Sequence, residues 1–317
     1  MNSAAFIAGD WGTTHLRLYL CNSVGDVLAT VEGPGVANAK GNHSALLQSL
    51  IAPWQSEKIL PVVLCGMVGS TIGWKLVEPV VCPVLPQALL SATVATEADH
   101  IRIVPGLKCR NIVDAPDFMR GEETQILGAM QLNPLLQAGR HLLCLPGTHT
   151  KWVVINEGLV EHFITAPAGE LFALLCKHSV LVNDAGTQLS VNATSINATV
   201  DSAFNQGVEQ IMRFPQAGLL GRIFECRSRR LSGELDSANS PSFLSGLLVA
   251  SDVKDALALL SPDSINEIVI IGNSSLGALY QHALRAMNHR AIILAGDKAV
   301  RAGLARVYQH LYGQSTV

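Results

Sequence analysis

Residues 5–9 form a continuous apolar run that ends against Asp10, and residues 15–20 alternate, with Leu16, Leu18 and Leu20 on one face and His15, Arg17 and Tyr19 on the other. The first pattern predicts a strand covered on both faces, the second a half-buried strand. A third strand is expected over 26–31, after the turn Asn22-Ser23-Val24-Gly25. Three short strands joined by tight turns predict an antiparallel meander. A glycine-rich loop follows at 33–41, then a helix over 44–54 with Leu46, Leu47, Leu50 and Ile51 on one stripe, then a strand over 61–65 ending in Gly66-Met67-Val68-Gly69-Ser70. Beyond Asp114-Ala115-Pro116-Asp117 a helical stretch is expected over 119–132, broken at Asn133-Pro134.

The chain then repeats its opening. An apolar strand (141–145), a Gly/Thr turn (146–151), a strand (152–155), the turn Asn156-Glu157-Gly158 and a strand (159–165) follow the same order, and Gly147 stands 135 positions after Gly12. Internal duplication decides architecture. Two similar halves predict two similar lobes, 1–135 and 136–317, facing each other across a cleft. Helices are expected over 170–178, 200–214, 218–229 and 241–260. A closing strand–helix–strand–helix unit (267–271, 276–287, 291–294, 298–311) implies parallel pairing with a right-handed crossover. The last helix could cross back to the first lobe.

Composition supports this layout. Of 317 residues 49% are hydrophobic and 5% aromatic, so the cores are aliphatic, as in sheets covered by helices. The net charge is −3, and Arg222, Arg227, Arg229 and Arg230 stand among acids such as Glu225 and Glu234, which argues against nucleic acid as a partner. The seven cysteines are scattered, odd in number and without a CxxC pair, and read as small buried hydrophobes in a reducing compartment. No basic segment precedes the N-terminal apolar run, so no signal peptide is expected. The longest uncharged stretch, 59–74, is broken by Pro61, Gly66, Gly69 and Gly73, so no membrane segment is expected either. A cytoplasmic protein follows.

Three segments carry candidate chemistry. In Gly9-Asp10-Trp11-Gly12-Thr13-Thr14 a buried strand delivers a carboxylate to a tight turn. Gly12 lets backbone approach phosphate oxygens, Thr13 and Thr14 add hydroxyls, and Asp10 suits the cation that neutralises phosphate, Mg²⁺, which binds through one or two carboxylates, waters and nucleotide oxygens. The plain alternative is a polar hairpin turn. Gly147, Thr148 and Thr150 occupy the equivalent turn of the second repeat, so two loops could clamp a polyphosphate. Lys151 beside them is either a phosphate contact or a solvated charge. In residues 268–277 a strand brings Gly272 and Gly277 to a helix start, where a base or ribose could approach, although any strand–helix junction has this form.

In this order and spacing the segments resemble the phosphate-1, phosphate-2 and adenosine motifs of the actin/hexokinase/Hsp70 superfamily. More narrowly, the chain resembles the 2-dehydro-3-deoxygalactonokinase family, through residues 10–14, Gly66–Ser70 with Gly73-Trp74, Met119-Arg120-Gly121-Glu122-Glu123-Thr124-Gln125, Leu145-Pro146-Gly147-Thr148-His149-Thr150-Lys151-Trp152 and Gly169-Glu170-Leu171-Phe172. One departure is Asn273 where the superfamily has the second glycine of a pair. The resemblance implies an α/β fold of two ribonuclease H-like lobes, mixed sheets flanked by helices, of the actin-like ATPase type. It also implies transfer of the ATP γ-phosphoryl, with Mg²⁺, to the 6-hydroxyl of 2-dehydro-3-deoxy-D-galactonate in galactonate catabolism.

An aspartate just before the linking helix serves as base in such kinases, which points to Asp117, with Asp114, Glu122 and Glu123 as rivals and a helix N-cap as the structural alternative. The acceptor's carboxylate needs a cation or backbone donors. Arg120 is the first candidate and Lys40 the second, unless Arg120 pairs with Glu122 or Glu123. Gly35, Val36, Gly66, Met67 and Glu122 are the expected sugar-acid contacts, and His149 is either a phosphate donor or a turn residue. Another sugar or sugar-acid kinase on this fold, or an ATPase without an acceptor, are the competing readings, and a homodimer is left open.

Overall fold

The computed structural model describes residues 3–55, 58–182, 199–260 and 265–313. In chain order the opening elements are β1 (Phe6–Trp11), β2 (His15–Cys21), β3 (Val27–Pro34), α1 (Val36–Ala39), α2 (His43–Ile51), β4 (Val62–Cys65), β5 (Val80–Val81), α3 (Pro86–Ser91), β6 (Val94–Ala95), β7 (Ile101–Ile103), β8 (Leu107–Arg110), β9 (Pro116–Met119) and α4 (Glu122–Leu132). Then come β10 (Arg140–Leu145), β11 (Thr150–Asn156), β12 (Leu159–Ala166), α5 (Ala168–His178), α6 (Ser202–Arg213), α7 (Leu219–Arg222), α8 (Glu225–Leu231), α9 (Ser240–Leu260), β13 (Glu267–Gly272), α10 (Ser274–Ala286), β14 (Ala291–Ala295) and α11 (Gly296–Tyr312). The chain divides into two compact units. One comprises the chain up to Gly139, residues 155–162 and the chain from Gly296; the other comprises Arg140–Val154 and Phe163–Ala295.

The first unit holds a sheet of order β3-β2-β1-β4-β7-β6 and a small sheet of order β5-β8-β9. β1 pairs antiparallel with β2 and parallel with β4, so it is central, and Phe6, Ile7 and Ala8 are buried on both faces. β2 and β3 keep the alternation expected of strands with one wet face. The second unit holds a sheet of order β12-β11-β10-β13-β14, with β10, β13 and β14 mutually parallel. The order meander, then parallel strand, thus occurs twice. Over the second sheet lies α9, apolar almost all round and buried along its length, packed on α6 where Gly207 and Gly246 let the two backbones meet.

Several sequence expectations are corrected. The 33–41 stretch is not a loop: β3 runs on to Pro34 and α1 follows. The helix expected from residue 119 begins only at Glu122, because residues 116–119 pair with β8 as a strand. The helix expected over 218–229 is two short ones, α7 and α8. All seven cysteines are buried and free. Among the described residues no helix is long and apolar enough to cross a membrane.

Within the first unit α11 packs along α4. Gly128 lies against the Ala299 carbonyl and Gly303 against the Thr124 carbonyl, and a Cβ at either position would collide with backbone. Backbone cannot yield as a flexible side chain does. Gly128→Ala should therefore lose about 1–3 kcal/mol of stability by urea unfolding, despite alanine's better helix propensity; an unchanged midpoint would mean the helices are free to part.

Candidate active site

Asp10 sits at the penultimate position of β1, opposite Arg17 on β2 and Cys65 on β4. Burial pushes its carboxyl above the usual carboxylate range, and Arg17 pulls only partly against this. Among the described residues its Oδ1 has only the Cys65 thiol, at 4.0 Å, as a hydrogen-bond neighbour. The turn that follows is closed by the Gly12 N–H donating to the His15 carbonyl at 2.9 Å, and Thr13 and Thr14 stand exposed at its tip.

The chain after β3 lies on this turn. The N–H groups of Gly35, Val36 and Ala37 donate to the carbonyls of Thr14, Gly12 and Thr13 at 3.0, 3.0 and 3.2 Å. A side chain at Gly35 would collide with the Thr13 backbone. The structure therefore brings Gly35 and Val36 onto the Gly12–Thr14 turn, but their backbone donors, expected to reach the substrate, are already taken by it.

Gly66 ends β4 with φ of +92°, and a Cβ there would meet the Trp11 carbonyl at 2.8 Å and Asp10 Oδ1 at 3.4 Å. Only glycine fits both the backbone angle and the space. Gly121, with φ of +111°, comes from the start of α4 to the same place, its Cβ position 3.5 Å from the Gly66 Cα. Asp10, Gly66 and the residues flanking Gly121 thus converge, although they are far apart in sequence. Met67 begins the short 3-10 turn that follows Gly66.

Around this point α4 opens with two carboxylates. Glu122 Oε2 accepts from the Arg120 N–H at 3.0 Å, and Glu123 Oε2 accepts from the Gly121 N–H at 2.6 Å. Both fold back on the helix start and occupy donors that would otherwise lack partners. Glu123 is fully buried and also accepts from the Thr124 hydroxyl at 2.9 Å. Burial, then the neighbouring Glu122, pushes its carboxyl up to about 8. The Arg120 guanidinium donates through Nη2 to the Val77 carbonyl at 2.8 Å, while Nη1 is buried and, among the described residues, makes no hydrogen bond. Gly69 and Gly106 leave room for this side chain, a Cβ at Gly69 falling 2.8 Å from Nη1. Glu122 meets Arg120 through the Arg120 backbone N–H, and the charge of Glu123 favours the charged guanidinium.

The other acidic candidates lie elsewhere. Asp117 is in β9, opposite Cys109, with Oδ1 accepting from the next backbone N–H (Phe118, 2.8 Å) and Oδ2 from Asn111 at 3.4 Å. It is not the N-cap of α4, which is Gly121. Asp114 is exposed and paired with Arg110 at 2.6 Å. Lys40 is an exposed C-cap residue of α1.

In the second unit Gly147 and Thr148 lie on the start of α5, where only a glycine at 169 fits beneath them, and the Glu170 N–H donates to the Thr148 carbonyl at 2.9 Å. Gly272 comes within reach of Pro146, its Cβ position 3.5 Å away. His149 is a turn residue paired with Glu170 at 2.8 Å. Two expectations change here. Lys151 is buried and donates to the Thr165 hydroxyl at 2.8 Å, so it is not a solvated charge. Thr150 is fully buried, and its hydroxyl is bonded to Tyr280 at 2.8 Å.

Gly277 faces the sheet, against Ile293 and Ile270, as a packing glycine of α10. Asn273, the departure from the glycine pair, caps α10 by accepting from the Ser275 N–H at 2.8 Å. A narrow cleft bounded by Gly147, Gly169, Ser245, Leu248, Leu276 and Tyr280 adjoins these elements. Sequence reasoning missed Ser245, Asp252 and Tyr280. The one available signal was Asp252, an acid at a buried position inside an apolar helix.

Asp10 fits a nucleotide-borne Mg²⁺. Among the described residues no three His, Cys, Asp or Glu side chains gather as a metal cage. A single desolvated carboxylate beside glycine walls is the donor set of an ion that arrives with phosphate and water.

A family model described as 2-keto-3-deoxy-galactonokinase matches residues 10–307. A Rhizobium meliloti (strain 1021) protein named "Probable 2-dehydro-3-deoxygalactonokinase" is 35% identical over 311 residues, 96% of this chain and 97% of its own. The 2-dehydro-3-deoxygalactonokinase of Escherichia coli (strain K12) is 33% identical over 306 residues, 96% of this chain and 98% of its own. A crystal structure from Sinorhizobium meliloti, described as a 2-dehydro-3-deoxygalactonokinase protein, superposes with a TM-score of 0.85 at 32% identity, covering 97% of this chain and 99% of that one.

The buried Glu123 makes stability depend on pH. The folded chain holds this proton to about pH 8, while an ordinary glutamate releases it near 4.5. The contribution is therefore full below about 4.5 and is lost as pH rises toward about 8. Above about pH 7, where most of Asp252 has titrated, the melting temperature of nucleotide-free Glu123→Gln should fall less steeply with pH than that of the parent; parallel curves would contradict a buried titrating carboxyl.

Proposed function

The chain belongs to the 2-keto-3-deoxy-galactonokinase family, and from that premise we propose that it transfers the γ-phosphoryl group of ATP to the 6-hydroxyl of 2-dehydro-3-deoxy-D-galactonate. The fold is the actin-like ATPase fold, and the reaction class is phosphoryl transfer to an alcohol. The products are ADP and the 6-phosphate, and the step belongs to galactonate catabolism. The first unit holds the turn proposed to bind phosphate and the proposed sugar-acid contacts, and the second unit holds Gly147, Thr148 and Gly272, proposed nucleotide contacts. With all seven cysteines reduced and buried, the cytoplasm is the fitting compartment.

The observation that carries the acceptor class is Arg120. A guanidinium held by one carbonyl, with a second amino group buried and, among the described residues, unbonded, is prepared for an anion. Burial lowers its pKa from the ordinary arginine value, with Glu123 and Glu78 acting against this. A carboxylate completing a charge-assisted pair there would relieve that cost. Neutral sugars offer no such partner.

For the base we favour Glu122 over Asp117. Glu122 is the first residue of α4, next to the Gly121–Gly66 contact that walls Asp10. Asp117 lies within β9, opposite Cys109, rather than at the start of α4. The acceptor oxygen forms its bond to γ-phosphorus as the bond from γ-phosphorus to the β,γ-bridging oxygen breaks. ADP leaves, and the hydroxyl proton passes to the Glu122 carboxylate late in a loose transition state. Asp10 would hold Mg²⁺, whose role is to neutralise the β- and γ-phosphate charge.

Two measurements test this. In an ADP-release assay over 2-keto-3-deoxy sugar acids and neutral sugars, the parent should turn over only the acids. Arg120→Ala should raise the sugar-acid KM by roughly 100-fold, the size of a lost hydrogen bond to charge, with ATP KM little changed; an Arg120→Ala enzyme with the parent's sugar-acid KM would remove the anion site. For the base, Glu122→Gln should lower kcat by about 10²–10⁴ while Asp117→Asn stays within tenfold of the parent; the reverse result would restore Asp117.

A further inference from the structure

Thr150, Tyr280, Asp252 and Trp152 form one buried hydrogen-bonded chain inside the second unit. Trp152 Nε1 donates to Asp252 Oδ1 at 2.8 Å, and the Tyr280 hydroxyl donates to Asp252 Oδ2 at 2.7 Å. The Thr150 and Tyr280 hydroxyls are 2.8 Å apart. Thr150 and Trp152 lie on β11, Asp252 on α9 and Tyr280 on α10, so the chain ties together three elements. Two of them carry nucleotide motifs: β11 begins where the second Gly/Thr loop ends, and α10 begins beside Gly272.

The chain has a direction. A carboxylate can only accept, so the hydrogens of Trp152 and Tyr280 both point at Asp252. The Tyr280 oxygen, having given its own hydrogen away, accepts from Thr150. Asp252 therefore fixes the rotamer of Tyr280, and Tyr280 fixes that of Thr150. Burial raises the Asp252 carboxyl to about 6; donors from Tyr280, Trp152 and Thr150 oppose the rise, and the charge of Asp255 adds to it.

The outer side of the loop is open by contrast. A Cβ at Gly147 would meet nothing within 4 Å, and Thr148 and His149 are exposed. The loop is thus pinned from beneath at Gly169 and Glu170, and from behind through Thr150. A phosphate-binding loop works only if its backbone donors are held in place before the nucleotide arrives.

We propose that Asp252 is a positioning residue for nucleotide binding, acting through Tyr280 on Thr150 to hold the Gly147–Thr148 backbone in its phosphate-binding arrangement. Thr150 then anchors the loop, and Gly147 and Thr148 make the contact. The inference rests on reading this loop as the second phosphate loop.

The experiment compares Asp252→Asn, Tyr280→Phe, Thr150→Val and Thr150→Ser with a loop variant, Gly147→Val, in steady-state kinetics on ATP and on the sugar acid, with melting temperatures alongside. Tyr280→Phe and Thr150→Val should raise ATP KM by about tenfold or more, leave sugar-acid KM within about twofold, and lie in the same direction as Asp252→Asn. Thr150→Ser, which keeps the hydroxyl, should return ATP KM close to the parent value. Gly147→Val separates the two readings. If it leaves ATP KM unchanged, the loop is not a phosphate loop. If it weakens ATP while Tyr280→Phe, Thr150→Val and Asp252→Asn do not, the loop reading stands and the positioning role is overturned. Lowered melting temperatures with both KM values unchanged would likewise reduce the network to a stability element.

Discussion

A carboxylate buried at the end of a central strand is the constraint around which the first unit is arranged. Asp10 gets there because β1 is a central strand, paired with β2 and β4 and covered on both faces. What approaches Asp10 must be small. Gly66 and Gly121 both adopt positive φ there and nearly touch. The parallel β1–β4 pairing puts Gly66 beside Asp10, and the helix start at Glu122 puts two more carboxylates behind Gly121. The residues proposed as cation ligand, base and anion-binding arginine thus come from this one small part of the first unit.

Three buried carboxyls illustrate how surroundings divide similar groups into different roles. Asp10, Glu123 and Asp252 all have raised pKa values, each for desolvation first. Glu123 rises to about 8 and Asp252 only to about 6. Both are held by hydrogen bonds, so desolvation alone does not separate them. For Glu123 the like charge of Glu122 outweighs each of its donors, whereas for Asp252 the donors Tyr280 and Trp152 outweigh the like charge of Asp255. Glu123 is thus kept largely neutral as a clamp on the helix start, Asp252 is held lower as the end of a directional chain, and Asp10 is left with little besides a thiol.

The duplicated meander is visible in both halves, and so is its divergence. His15 and Thr150 begin equivalent strands, 135 positions apart. His15 is exposed, while Thr150 is buried and bonded to Tyr280. In the first half the turn is steadied by the segment that follows β3, through the donors of Gly35, Val36 and Ala37. In the second it is steadied from below, through side chains of α9 and α10. The same turn is fixed by two different means, which is why the two threonine-bearing loops do not read alike in detail.

Local pattern determined the strands of the two meanders, β4, the closing strand–helix unit, the repeat and the aliphatic cores, because each follows from apolar periodicity over a few residues, but not the short strands β5 to β9. The motif residues Asp10, Gly12, Gly66 and Gly147 were legible for the same reason: a glycine or carboxylate at the end of an apolar strand is a local signal. Where the linking helix starts was not legible. Residues 116–119 have the composition of a helix approach, and only pairing with β8 makes them a strand, moving Asp117 away from the helix start and leaving Glu122 there. The fates of Arg120, Lys151 and Thr150 were likewise tertiary decisions. Whether a polar side chain is bonded, buried or left with an unbonded hydrogen depends on partners far away in sequence (Val77, Thr165 and Tyr280), and no spacing rule along the chain encodes them.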